Sequence, residues 1–286
     1  MSTETLPALP SRVLDVNASE SSPKLRLVDA KGKYGHYVTL SHCWGRHRII
    51  TTTVGNIREH MRAIPLSSLS QTFRDAISTV RSLNIPYIWI DSLCIIQDDP
   101  NDWAFEAAKM GSYYLNSLFN IAAVSASGGS EGCFMEYNLV KITPYGYIRP
   151  KLWQRAWVLQ ERLLSPRLLL FSDTQMSWLC RTEEASERVP EGTSNIGSEE
   201  GLTDLYNSWY DLVMLYGKCD LTVKSDIFPA ISGIARGIGR ATGDEYYAGH
   251  WKNDFHRGLL WTAPDSTVSK AELRGYRAPS WSWASI

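Results

Sequence analysis

Three groups of residues have the types and spacing to do chemistry. In YIWIDSLCIIQDDPNDWAFEAAKM, residues 87–110, Glu106 stands three positions after Trp103 and so lies about 60° around a helix from it. It borders an apolar stripe. A carboxylate that is partly desolvated there can stabilise a developing cation or accept a proton. The alternative is a surface pair with Lys109 or a neighbouring arginine. The second group is Ser41-His42-Cys43-Trp44, which ends one short apolar run, and the third is Asp91, which ends another. If those runs are strands of one open sheet, their carboxyl ends face a common crevice, which is where such sheets bind ligands.

Other patterns are weaker. His42 and Cys43 are adjacent, and neighbours on a strand point to opposite faces, so a thiol nucleophile at Cys43 would need His250 or His256 from elsewhere; a small buried hydrophobe is the simpler role. No metal-ligand spacing is present; Asp91, Asp98 and Asp99 could hold only a hydrated cation, and no metal is expected. The sequence has neither a P-loop nor G-x-G-x-x-G, so standard dinucleotide-cofactor binding is not indicated. Arg155, Gln160, Glu161 and Arg162 crowd an otherwise apolar helix. They read as a buried ion-pair network fixing one lobe to another, with a direct catalytic role for Glu161 as the alternative.

These residues need elements to hold them. LRLV (25–28) and HYVTL (36–40) read as strands around a Lys31-Gly32-Lys33 turn. SSLSQTFRDAISTVRSL carries Ser68 and Gln71 at capping-box spacing, then Phe73, Ala76, Ile77, Val80 and Leu83 at helical intervals. IPYIWI (85–90) has no polar face, as in a strand covered by helices on both sides. Asp99 caps the next helix with Pro100 in its first turn; Trp103, Ala107, Met110 and Tyr114 share one face, and LFNIAAV (118–124) is a further strand. Strand, helix, strand, helix, strand spells an α/β unit with a mainly parallel, flavodoxin-like sheet flanked by helices.

The second half reads as mostly helical with one β-hairpin. Residues 154–164 form a helix, RLLLF and QMSWLC a hairpin around Ser172-Asp173-Thr174, and the acidic, Ser/Gly-rich stretch 182–203 a long surface loop. Leu205, Trp209, Leu212 and Tyr216 mark another helix, Ile227 to Ile238 one more, and YRAPSWSWASI an edge strand. The expected organisation is a loosely ordered arm at 1–24, an α/β core at 25–136, and a C-terminal part at 137–286 packed on that core.

Composition excludes some function classes. The 286 residues are 44% apolar and 21% charged with a formal charge of −1, which gives no polyelectrolyte signal and argues against nucleic acid. Five cysteines without a C-x-x-C pair fit a reducing compartment better than a disulfide framework. No apolar run approaches the ~18 residues of a membrane span and no leader pattern opens the chain, so a cytoplasmic protein without a membrane span is expected. The eleven tryptophans and fourteen tyrosines suit core filling or a ring-walled pocket.

Four blocks together resemble the fungal heterokaryon-incompatibility (HET) family: YVTLSHCWG (37–45), residues 69–123, RAWVLQERLLSPRLLLFS (155–172) and YRAPSWSWAS (276–285). The resemblance implies a cytosolic role in non-self recognition and regulated cell death, with self-association or a partner signalling protein. A more distant similarity is to Toll/interleukin-receptor (TIR) domains, whose first strand often ends in Ser-His and whose later helix carries a tryptophan followed by a catalytic glutamate. Ser41-His42 and Trp103 with Glu106 fit that outline, although the spacing here is three where TIR helices often show four. That likeness implies a TIR-like fold and hydrolysis of NAD or a related nucleotide as substrate, with no cofactor. It makes Glu106 the catalytic candidate and Ser41, His42, Cys43, Trp44, Asp91 and Trp103 the pocket. A stand-alone small-molecule enzyme of secondary metabolism and a non-catalytic signalling module are the alternatives.

Overall fold

A nine-stranded mixed sheet organises the chain. The computed structural model describes residues 6–16, 25–45, 49–135, 150–194, 202–262 and 276–285. In chain order the elements of the first half are β1 (Arg12–Asp15), β2 (Arg26–Asp29), β3 (Tyr37–Ser41), α1 (Ile57–Arg62), α2 (Gln71–Ser82), β4 (Tyr87–Trp89), α3 (Asp91–Cys94), α4 (Pro100–Ala107), α5 (Met110–Leu115) and β5 (Asn120–Ala123). The second half adds α6 (Lys151–Gln154), α7 (Ala156–Leu164), β6 (Arg167–Phe171), β7 (Met176–Cys180), β8 (Glu183–Ser186), β9 (Val189–Ser194), α8 (Leu202–Tyr216), α9 (Ser232–Thr242), β10 (Tyr246–Tyr247), β11 (His250–Trp251) and α10 (Phe255–Gly258).

The strands lie in the order β2-β1-β4-β3-β5-β6-β7-β8-β9. The central four, β4-β3-β5-β6, are parallel, with Val38 beside Ile88, Leu40 beside Ile121, and Ile121 beside Leu169; both flanks are antiparallel. The chain thus steps from β3 to β4 on one side and returns to place β5 on the other. That reversal beside β3 makes the topological switch point where an open α/β sheet leaves a crevice. β3 and β5 are buried along their whole length, as expected of strands covered on both faces.

Local chemistry sets the helices around them. Ser70 caps α2 by accepting from the Phe73 amide at 3.4 Å, two residues closer to the helix than the Ser68 cap read from sequence. Phe73, Ala76, Ile77 and Val80 then face the core. Asp99 accepts from the amides of Asn101 and Asp102 at 2.9 and 3.3 Å and caps α4, with Pro100 as the first helical residue. The apolar stripe expected to run from Trp103 to Tyr114 is carried by two helices, because the chain turns at Ala108–Lys109 between α4 and α5.

Three expectations are corrected. Arg12–Asp15, assigned from sequence to a loose arm, is strand β1, inserted between β2 and β4 with Leu14 beside both Leu27 and Ile88; so short a strand is held by tertiary contacts, its sheet neighbours and the Arg12 side chain. The stretch expected as a loop from 182 forms β8 and β9, so the hairpin β6-β7 becomes a four-stranded meander. The terminal WSW segment, expected as an edge strand, makes a 3₁₀ turn at Trp283–Ser285, with the Trp283 indole donating to the Gly249 carbonyl at 3.1 Å.

Apolar side chains form two main clusters. One surrounds the parallel strands and α2 and includes Phe73, Ile88, Trp89 and Ile121; the other joins α7 to α8 and α9 through Leu159, Trp209, Ile231 and Trp251. The join between the halves is tight, since a Cβ on Gly233 of α9 would stand 2.9 Å from the Gly111 Cα of α5. Among the described residues no helix is long and apolar enough to cross a membrane.

Candidate functional site

The carboxyl end of β3 collects the polar groups. Thr39 and Ser41 are two residues apart and project from one face of the strand. Asn120, first residue of β5, pairs with Thr39 in the ladder. Its amide oxygen accepts from the Thr39 hydroxyl at 3.2 Å, and its Nδ2 donates to Ser41 Oγ at 2.9 Å. The Ser41 hydroxyl in turn donates to Glu161 Oε2, which α7 brings across from 120 residues further along the chain. Tyr114 of α5 closes the group, donating to the Leu40 carbonyl at 3.3 Å.

The next residues line the rim. Trp44 Nε1 donates to Asp91 Oδ2 at 3.2 Å, and His42 Nε2 stands 3.8 Å from Asp91 Oδ1. Asp91 follows β4 at the start of α3, and its side chain is 24% exposed; with the part-buried Trp44 and Arg155 it forms the open edge of the cluster. Arg155, between α6 and α7, donates to the His42 carbonyl, and the His42 ring packs edge-on against Phe73 at 4.9 Å. The loop turns away at Gly45, whose φ is +72°; a Cβ there would meet the Gly128 Cα at 2.7 Å. Only glycine therefore lets the loop after β3 cross the loop after β5.

Burial divides the titratable groups. It pushes the Glu161 carboxyl up to about 7, the Ser41 hydrogen bond and Arg155 opposing and Asp91 assisting. It pushes the His42 imidazole down to about 4, with Asp91 opposing and Arg155 assisting. At neutral pH the site therefore holds a neutral imidazole and a carboxyl poised between its two forms. Two neighbouring groups driven apart in this way are a recurrent mark of acid–base sites.

Glu106 lies elsewhere. It is 1% exposed and sits in a network anchored on β1: Arg12 Nη2 is 2.5 Å from Asp102 Oδ2 and 3.6 Å from Glu106 Oε1. The Tyr113 hydroxyl donates to Glu106 Oε2 at 2.6 Å. Glu106 thus pairs with an arginine inside the protein, and its hydrogen bond and ion pair go to Tyr113 and Arg12 rather than to Ser41, His42 or Asp91. Trp103 stacks edge-on against Trp157 of α7 at 6.2 Å. Cys43 is packed among Ala122, Val124, Leu152 and Val158, where burial pushes its thiol up, and His250 lies between Phe255 and Trp281. The geometry therefore unites Ser41, His42, Trp44 and Asp91, adds Asn120, Tyr114, Arg155 and Glu161, and sets Glu106 apart. An apolar groove of about 770 Å³ between α2 and β6–β7, lined by residues such as Phe119, Phe134 and Trp178, shares no residue with this cluster.

Residues 37–146 match the model of the family described as Heterokaryon incompatibility protein (HET). This stretch is similar to a HET domain over somewhat more than a third of the chain. No curated protein and no solved structure matches the chain significantly. The match spans β3 to β5 and so contains Ser41, His42, Trp44, Asp91 and Asn120; Arg155 and Glu161 follow it in sequence. Trp157 precedes Glu161 by four positions, where Trp103 precedes Glu106 by three. Nothing local to Asn120 or Tyr114 marks them, because each acquires its role from a partner on another element.

Proposed function

We propose that this protein is an effector of non-self recognition and regulated cell death that hydrolyses NAD or a related nucleotide at the ribosyl–nitrogen bond, with Glu161 as the carboxylate beside the ribose. The meeting of Glu161 with Ser41 at the carboxyl end of β3 carries the reading. It puts a carboxyl at the switch point of the parallel strands, where ligands of open α/β sheets bind, and the Trp157–Glu161 spacing of four suits the likeness to TIR helices.

In this mechanism the bond between ribose C1′ and the nicotinamide nitrogen breaks, and its electron pair neutralises the leaving pyridinium. The ionised Glu161 stabilises the oxocarbenium-like ribose as positive charge grows there, an effect strengthened by a partly dry site. Water then adds to C1′ and gives up a proton, which Glu161, poised near 7, can accept. Asp91 and Trp44 form the polar and aromatic rim by which the nucleotide enters. Glu161 is 6% exposed, so turnover requires the rim to open.

The test is nicotinamide release from NAD by purified protein, dilute and crowded. Wild type is expected to release nicotinamide under at least the crowded condition, and Glu161→Gln to lose at least 100-fold of that rate, on the order expected for a group stabilising transition-state charge. No release at any protein concentration would sink the reading. Toxicity that survives Glu161→Gln in cells would point instead to a non-catalytic signalling module.

A further inference from the structure

We propose that Asn120 is a positioning residue for Glu161, acting through Ser41: by donating to Ser41 Oγ, Asn120 commits the single hydroxyl proton of Ser41 to the Glu161 carboxylate. The inference rests on the reading of Glu161 as the carboxylate of the site. A serine hydroxyl has one proton to give and two lone pairs. Asn120 Nδ2, 2.9 Å away, is purely a donor and occupies a lone pair, so the Ser41 proton is left for Glu161 Oε2.

The amide itself is turned by Thr39. Asn120 Oδ1 takes the Thr39 hydroxyl at 3.2 Å, which leaves Nδ2 as the end that meets Ser41. Thr39 has a second neighbour in Ser117 Oγ at 3.4 Å, but Ser117 already spends its own proton on the Tyr114 carbonyl at 2.8 Å. It therefore offers Thr39 only a second acceptor, and at 3.4 Å against 3.2 Å it is the longer of the two, so the Thr39 proton favours Asn120 Oδ1. Thr39, Asn120 and Ser41 are 0%, 1% and 1% exposed, so water does not readily substitute for any member. The directed chain Thr39 to Asn120 to Ser41 to Glu161 spans β3, β5 and α7, and it makes the ionised form of Glu161 the one the backbone scaffold favours. The charged or titratable groups that also face Glu161 are Arg155, which favours ionisation, Asp91, which opposes it, and Tyr114 and Cys43.

The experiment follows the side-chain carboxyl carbon of Glu161 by NMR over pH in the full chain with ¹³C-labelled glutamate, its signal assigned by its loss in Glu161→Gln. Ser41→Ala and Asn120→Ser are each expected to raise the titration midpoint by about one pH unit, a roughly ten-fold loss of ionised form at fixed pH. The double variant is expected to match Ser41→Ala alone, because Asn120 acts only through Ser41. A merely structural Asn120 would lower the melting temperature and leave the midpoint in place. An unmoved midpoint in Asn120→Ser, or an equal shift in the Ser41→Ala background, overturns the proposal. If Asn120→Ser does not fold, Thr39→Val, which frees the amide to turn, replaces it in the same cycle with the same two outcomes. No nucleotide is present, so failure of NAD hydrolysis counts against Glu161 as the catalytic group and leaves this relay standing, whereas an unmoved midpoint removes the relay whatever the turnover.

Discussion

His42 and Glu161 pull stability in opposite directions with pH. The folded state holds the Glu161 carboxyl near 7, above its ordinary 4.5. Its contribution is fully present below pH 4.5 and is lost as pH rises through 7. His42 is held near 4, below its ordinary 6.5, so its contribution is present above 6.5 and is lost as pH falls through 4. Over the shared window the two slopes oppose each other, each on the order of 1 kcal/mol per pH unit. Urea unfolding from pH 4 to 7 is expected to show stability rising with pH in Glu161→Gln and falling with pH in His42→Asn. The Arg12 network gives a second prediction. Arg12→Met strands the buried Glu106 carboxylate and is expected to cost about 3–5 kcal/mol, with much of the loss recovered when Glu106→Gln is added. Equilibrium unfolding of the two single variants and the pair measures this, and simple additivity would count against a direct Arg12–Glu106 interaction.

Elements position the site through a few local devices that sequence displays and one that it does not. The caps of α2 and α4 and the apolar intervals of α2 are local, so the strand–helix alternation from β3 to β5 could be read directly, to within the shift from Ser68 to Ser70. The crossing of the loops after β3 and β5 could not, because it depends on two glycines 83 positions apart meeting in space. Gly45→Ala imposes both a left-handed backbone on a residue with a side chain and a backbone clash. It is expected to cost about 2–3 kcal/mol and to raise hydrogen exchange in residues 42–45 and 125–129 together. Faster exchange in the first loop alone would show that the crossing does not couple them.

At the scale of the whole molecule, the two halves are joined by β5–β6 pairing and by the contact of α9 with α5 and α7. A Cβ on Gly233 would stand 2.7 Å from Gln160 Oε1, 2.8 Å from Leu164 Cδ1 and 2.9 Å from the Gly111 Cα, and the last of these is backbone that cannot swing aside. Gly237, one turn on in the same helix, has nothing within 4 Å of its added Cβ. The same substitution is thus expected to have opposite signs: Gly233→Ala destabilises by about 1–3 kcal/mol, while Gly237→Ala stabilises by about 0.5–1 kcal/mol through helix propensity. Thermal and urea unfolding of the two variants decides it, and equal effects would mean that α9 does not pack as described.

The sequence by itself determined the α/β character, the parallel strands β3, β4 and β5 with the helices between them, and the strand-end positions of Ser41, His42, Trp44 and Asp91. Apolar periodicity, capping residues and strand ends are all properties of a short window. Tertiary structure alone decided that Arg12–Asp15 joins the sheet, because a four-residue strand is stabilised by contacts distant in sequence. It also decided which partner each buried carboxylate meets. Glu106 and Glu161 each follow a tryptophan on an apolar helix, and nothing within either helix tells which face meets β3. Packing resolves the choice: α7 turns Glu161 onto Ser41, and α4 turns Glu106 onto Arg12.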